Sequence, residues 1–228
     1  MTADLLRTRY LVLTGNYGSG KTEIALNLSL IAARCYQTTL VDLDIVNPYF
    51  RSGEKAEELQ RAGICVLMPT YAMTTVDIPA LPAEIQSVFD SGSEKVIFDV
   101  GGDDTGAAAL GRYYPSFQSR REDTTVALVI NCMRPLTRTP AEIVDLAERI
   151  QNRSRLRIDV LINNTNLAGK TTPEMLLEGE AIVTECARRM GVSKVVSAYS
   201  RDMQGSFRLL HDSLCIKRYM IPEWMEEQ

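Results

Sequence analysis

Histidine is almost absent from this chain. His211 is the only one, and the five cysteines (Cys35, Cys65, Cys132, Cys186 and Cys215) are odd in number, scattered, and never spaced as C-x-x-C. That pattern argues against a disulfide framework and against a zinc or iron–sulfur site. Most of the thiols are expected to be buried and to act as small apolar residues. No apolar run approaches the roughly 18–20 residues of a membrane span, and the first residues lack a charged-then-apolar signal pattern. The chain is therefore expected to be cytoplasmic. Neither charge sign dominates: 25 Lys and Arg face 29 Asp and Glu, for a net charge of -4. Such a balance gives no dominant surface for nucleic acid or lipid, although a local basic patch remains open. There is no internal repeat, low-complexity tract or linker. Residues 1–228 are read as a single domain, long enough to bury a substantial core.

Against this ordinary background one stretch carries specific chemistry. Gly15-Asn16-Tyr17-Gly18-Ser19-Gly20-Lys21-Thr22 fits G-x-x-x-x-G-K-[ST], the P-loop pattern. It follows the apolar run Tyr10–Leu13 and opens a helical pattern of Ile24, Leu28 and Ile31. Glycines let the backbone turn tightly and aim its N–H groups at a phosphate. The helix N-terminus adds unpaired donors and partial positive charge. Lys21 is placed to reach the β- and γ-phosphates, and the Thr22 hydroxyl to hold Mg²⁺.

The remaining segments alternate. Strands are expected at 38–44, 64–68, 95–100, 125–131, 158–162 and 194–198. Helices are expected at 52–62, around 85–89, at 104–113, from Pro140 and from Pro173 to Met190. Thr139-Pro140-Ala141-Glu142 is a helix start with cap, N1 proline and capping-box Glu. Gly191 is a helix stop. A last helix is expected around 204–211, with His211 on it as a packed or surface residue. Ser119–Asp123 reads as a solvated charged turn. This alternation predicts an α/β fold in three layers, a mostly parallel central sheet with helices on both faces. A ligand is expected at the carboxyl ends of the strands.

Two acids fall at such ends. Asp44 follows the second strand, and Asp99 follows the apolar residues Val96, Ile97 and Phe98 in the manner of a Walker B acid. Both are candidates to hold Mg²⁺ and to position an attacking oxygen. Gly101 and Gly102 follow Asp99, and Gly102 is placed to turn its N–H to a γ-phosphate. Asp42 either backs Asp44 or pairs with a lysine. Asp103 and Asp104 read as helix caps.

The motifs Gly-x-x-Gly-x-Gly-Lys-Thr at 15–22, Asp-x-Asp-x-x-x-Pro at 42–48 and Asp-x-x-Gly at 99–102 resemble the MinD/ParA/Mrp group of P-loop NTPases. The resemblance implies that Lys21 and Thr22 bind phosphate and Mg²⁺. It implies that Asp44 orients the attacking water and that Asp99 lies in a second switch. Lys21, Asp44 and Asp99 would then be the catalytic residues, and Thr22, Asp44 and Asp99 the metal ligands. The chain departs from the group at Asn16, where relatives carry a second lysine that crosses a nucleotide-sandwich dimer. Arg51 is a candidate to supply the lost cation. The loop also resembles UreG and HypB, the nickel-delivery GTPases, but the metal ligands such proteins need are not apparent.

Guanine recognition in this superfamily uses Asn-Lys-x-Asp, and here Asn163-Asn164-Thr165-Asn166 stands in its place. Asn166 replaces the carboxylate that accepts both guanine N–H groups, whereas Asn163 can bond an adenine edge. ATP is the expected nucleotide, with Mg²⁺. Two roles remain open. One is a slow ATPase switch that acts through a protein partner or a nucleotide-dependent homodimer, with Tyr49-Phe50-Arg51 as a contact surface. The other is a dethiobiotin-synthetase-like or cobyrinate-amidating enzyme that activates a small carboxylate, with Tyr71, Thr74, Thr75 and Arg112 about its pocket. DNA-binding partition activity is disfavoured by Asn16 and the acidic balance.

Overall fold

Strand β1 (Tyr10–Gly15) is buried at every position. The computed structural model describes residues 5–44, 56–68, 83–102, 104–205 and 207–220. Tyr10 and Val12 point into one core, Leu11 and Leu13 into another. β4 (Lys95–Val100) and β5 (Thr124–Ile130) repeat the alternation. Val96, Phe98, Val126 and Leu128 face the first core, and Ile97, Ala127 and Val129 face the second. Strands with two apolar faces require helices on both sides.

The full sheet runs β3-β2-β4-β1-β5-β6-β7-β8, with β2 (Thr38–Leu43), β3 (Ile64–Leu67), β6 (Val160–Asn163), β7 (Lys194–Ser200) and β8 (Asp212–Ile216). Every pairing is parallel. On one face α1 (Lys21–Ala32) contributes Ile24 and Leu28 to a core shared with Leu5, Leu59 and Leu214. Leu59 comes from α2 (Ala56–Arg61). The other face holds α3 (Ala83–Ser87), α4 (Asp104–Arg112), α5 (Tyr114–Gln118), α6 (Pro140–Ser154) and α7 (Pro173–Met190). Phe89 anchors that core, 5.0 Å from the Phe117 ring in an edge-on contact and 5.8 Å from Phe98.

The helix starts follow local chemistry. Thr139 accepts from the Glu142 N–H while Glu142 accepts from the Thr139 N–H, a complete capping box. Thr172 caps α7 ahead of Pro173, and Gly191 ends it at φ 65°. Among the described residues no helix is long and apolar enough to cross a membrane.

Three expectations need correction. The helix around 204–211 does not form. A single 3-10 turn (Arg201–Met203) is followed, over the described residues 207–211, by irregular chain and then by β8, which the sequence reading missed. The buried Glu180 of α7 supplies the reason: its carboxylate accepts from the backbone N–H groups of Leu210 (3.0 Å) and His211 (3.2 Å). Those groups are thus bonded across space rather than within a helix. His211 instead places Nε2 2.9 Å from the Thr184 hydroxyl. Second, only Cys132 and Cys186 are buried, whereas Cys35 and Cys65 are exposed. Third, the charged turn is not simply solvated: Arg121 pairs with Asp159, which also accepts from the Val126 N–H at 2.9 Å.

Gly179 of α7 illustrates packing against propensity. A Cβ there would lie 2.2 Å from the Thr165 hydroxyl oxygen and 2.8 Å from Asn163 Oδ1. Helix propensity alone favours Gly179→Ala by about 1 kcal/mol. Overpacking of this size costs about 1–3 kcal/mol, and the contact is with a β-branched side chain that has little freedom to retreat. Gly179→Ala is expected to lower stability, measured as the denaturant midpoint at constant slope. A raised midpoint would show that helix propensity governs this position.

Candidate functional site

The carboxyl end of β1 lies between β4 and β5, where strand order reverses. In open parallel sheets this is where a crevice forms. Register brings the sequence candidates to that edge: Leu13 pairs with Asp99, Asp42 with Asp99, and Ile130 with Asn163.

The loop from Gly15 to Thr22 closes tightly over this edge. Gly20 caps α1 at φ 87°, and a Cβ on it would meet the Asn164 amide nitrogen at 2.3 Å. That nitrogen donates to the Ser19 carbonyl at 2.7 Å, tying the loop to the end of β6. Lys21 is only 6% exposed, and its ammonium donates to the Asn16 carbonyl at 3.0 Å. The Asn16 side chain accepts from the Tyr17 N–H and donates to the Pro135 carbonyl, each at 2.9 Å. Tyr17 is 60% exposed, whereas Ser19 is buried. Gly102 packs on the loop from the other side, where a Cβ would come within 2.6 Å of the Tyr17 nitrogen. All eight loop residues and Gly102 are thus brought together.

Asp99 is 1% exposed, and neither of its carboxylate oxygens has a well-formed hydrogen bond. Burial, with the Asp44 charge adding to it, pushes its carboxyl up to about 6, while the Thr22 hydroxyl and the Lys21 ammonium pull the other way. Asp44 is half-buried and lines the cavity. Its N–H donates to Asp42 Oδ1 at 2.9 Å, so Asp42 helps to fix the turn that carries it. A hydroxyl and one or two carboxylates are hard oxygen ligands suited to Mg²⁺. The under-bonded Asp99 carboxylate is the observation that such a cation fits.

A cavity of about 400 Å³ runs from Gly18, Gly20, Lys21 and Thr22 past Asn164 to an apolar far end formed by Leu176, Ala198, Tyr199, Met203 and Ile216. Asn163 does not line it. It is fully buried, its amide donating to the Leu176 carbonyl (3.1 Å) and the Ser197 hydroxyl (3.2 Å). Asn164 and Asn166 line the cavity in its place. The Asn166 amide donates to the Asn164 carbonyl at 2.7 Å and accepts from the Ala168 N–H at 3.2 Å.

Sequence reasoning missed two parts of this wall. Arg134 sits just beyond β5, the strand that pairs with β1, and belongs to no motif. Arg218 and Met220 come from the segment after β8. That segment is fastened to α1: Glu23 accepts from the Tyr219 (2.6 Å) and Met220 (3.1 Å) N–H groups. Asn27 accepts from the Lys217 N–H and donates to its carbonyl, each at 2.8 Å. Arg112, expected near a substrate pocket, is exposed at the far end of α4 and does not line the cavity. Tyr49, Phe50, Arg51, Tyr71, Thr74, Thr75 and Asp103 lie outside the described residues. Among the described residues no group of three or more His, Cys, Asp or Glu is arranged to hold a metal.

No family model matches the chain, and no curated protein matches it either. Solved structures do. The signal recognition particle 54 kDa protein of Aeropyrum pernix K1, in complex with GDP, superposes with a TM-score of 0.52 at 24% identity, over 83% of this chain and 41% of that one. FtsY of Mycoplasma mycoides gives 0.53 at 17% identity, over 82% and 58%. FtsY of Thermotoga maritima gives 0.53 at 16% identity, over 83% and 62%. The chain thus spans less than two thirds of each of these proteins. The likeness shows the fold, an α/β P-loop NTPase sandwich, and leaves activity to the residues.

The Asp99 environment carries a pH signature. A carboxyl raised from 3.8 to about 6 binds its proton more tightly when folded than when unfolded. The stability it contributes is full below about pH 4 and is lost as pH rises through about 6. Without metal or nucleotide, the wild-type chain is expected to lose stability relative to Asp99→Asn across that window, read by denaturant titration. A difference independent of pH would contradict the buried, uncompensated carboxylate.

Proposed function

We propose that this chain is a Mg²⁺-dependent ATP-binding protein of the MinD/ParA/Mrp type, hydrolysing ATP slowly and acting as a nucleotide-dependent switch. The observation that carries this reading is a cavity that joins the P-loop, with its buried Lys21, to an apolar far end framed by amides. One end has backbone and ammonium donors for phosphates. The other has the apolar walls and few polar groups that suit a base.

The residue roles follow from chemistry. Thr22 and Asp99 would hold Mg²⁺ at the phosphates, with Asp44 near them. The metal, when bound, would neutralise phosphate charge. Lys21 leaves the Asn16 carbonyl for a phosphate oxygen, exchanging a neutral acceptor for a charged one. Asp44, at the cavity edge beside Gly101, orients the attacking water.

ATP is favoured over GTP by what surrounds the far end. Guanine presents two adjacent N–H donors and calls for a carboxylate. Two acids line the cavity among the described residues: Asp44 follows β2, and Glu23 is occupied by backbone N–H groups. Asn166 offers one amide oxygen that already accepts from Ala168. With Asn163 engaged behind the wall, the adenine edge falls to Asn166 and the backbone of its loop.

Turnover of ATP and GTP with Mg²⁺, run beside light scattering, tests the proposal. ATP-selective hydrolysis with an ATP-induced change in mass is expected. Lys21→Ala is expected to abolish nucleotide binding. Asp44→Asn is expected to keep ATP affinity and lose turnover by about a hundredfold or more. Equal use of both nucleotides would remove the base assignment. Nucleotide binding with no turnover in any condition would point to a missing co-substrate such as a small carboxylate, the enzyme reading.

A further inference from the structure

We infer that Arg134 is a polyphosphate-binding cation of this site, supplying from within the chain a positive charge that position 16 cannot. The inference rests on the nucleotide-binding reading above and adds to it a residue outside every phosphate motif.

Contact with the loop is the first support. The Arg134 side chain lies on Gly18: a Cβ at that glycine would fall 3.2 Å from Arg134 Nε and 3.4 Å from Cζ. Gly18 has φ 70°, which already favours glycine, and the missing side chain lets the guanidinium approach the loop backbone. Arg134 also lines the same cavity as Gly20, Lys21 and Thr22.

Its bonding is the second support. The backbone around it is fixed. The Arg134 N–H donates to the Asn131 carbonyl at 3.1 Å, and its carbonyl accepts from the Thr137 hydroxyl at 3.3 Å. The next carbonyl, of Pro135, accepts from the Asn16 amide at 2.9 Å. Among the described residues the guanidinium itself forms no hydrogen bond or ion pair. Arg121, by contrast, is matched to Asp159, Arg149 to Asp145 and Arg188 to Glu185. An anchored backbone holding five unengaged donors over a phosphate loop is a preorganised anion contact.

Charge completes the case. A triphosphate carries several negative charges, and Lys21 provides one compensating cation. Asn16, at the position where a second lysine would stand, instead holds the very loop that carries Arg134. The amide thus exchanges a cation of its own for one delivered by its neighbour. A planar fork also suits two phosphate oxygens at once.

Calorimetric affinities for ATP, ADP and AMP provide the test, on the wild-type chain and on Arg134→Ala, Arg134→Lys and Lys21→Ala. Arg134→Ala is expected to weaken ATP about tenfold or more, as loss of a charge-assisted hydrogen bond does. AMP should change far less. Arg134→Lys should recover part of the ATP affinity, because charge returns without the fork. The nucleotide-free melting temperature should stay at the wild-type value. Wild-type ATP affinity in Arg134→Ala would overturn the inference. An equal loss for AMP would also overturn it, since that marks a contact to the base or ribose. If Lys21→Ala abolishes binding while Arg134→Ala does not, only this inference fails. If the wild-type chain binds none of the nucleotides, the reading of the site falls with it.

Discussion

A carboxylate closed off from water without good hydrogen bonds is costly, and Asp99 occupies that position at the end of β4. The rest of the site is arranged around it. β4 pairs with β1 so that Asp99 stands beside Leu13, two residues before the loop begins. Lys21 and Thr22, from the first turn of α1, approach from above and offset part of the burial. Gly102 presses on Tyr17 and holds the end of β4 against the loop. A divalent cation would relieve the imbalance. The buried carboxylate thus carries a penalty that cation binding would remove.

The opposite wall is built without charge. Asn16 reaches Pro135, Asn131 accepts from the Asn166 N–H, Asn163 reaches Leu176, and Asn164 reaches Ser19. A side-chain amide can give and accept at once, as those of Asn16, Asn131 and Asn163 do, so it can join loops that no ladder connects, at less desolvation cost than an ion. Three strand ends, those of β1, β5 and β6, are fastened in this way. The Glu23 and Asn27 bonds to residues 217–220 add the end of β8. Displacement of the first turn of α1 by a phosphate would therefore be felt by the last described segment of the chain.

What the sequence disclosed was local. The P-loop, its strand and its helix are contiguous, and the Thr139 and Thr172 caps lie within four residues of what they cap. These were legible and correct. β8 was not, because its buried pattern rests on Leu214 and Ile216 alone and its entry is fixed by Glu180, far back in the chain. The choice among Asn163, Asn164 and Asn166 was also beyond reach. Successive residues at a strand end face opposite sides, and register alone decides which amide sees the cavity. Arg134 has no motif, and its proximity to Gly18 exists only in three dimensions.

A crystal structure with Mg²⁺ and a non-hydrolysable ATP analogue is the most direct measurement. A triphosphate wrapped by Gly15–Thr22, with Lys21 released from the Asn16 carbonyl and the metal against Thr22 and Asp99, is the expected result. A loop that keeps the Lys21–Asn16 bond while the analogue is absent or bound elsewhere would contradict it.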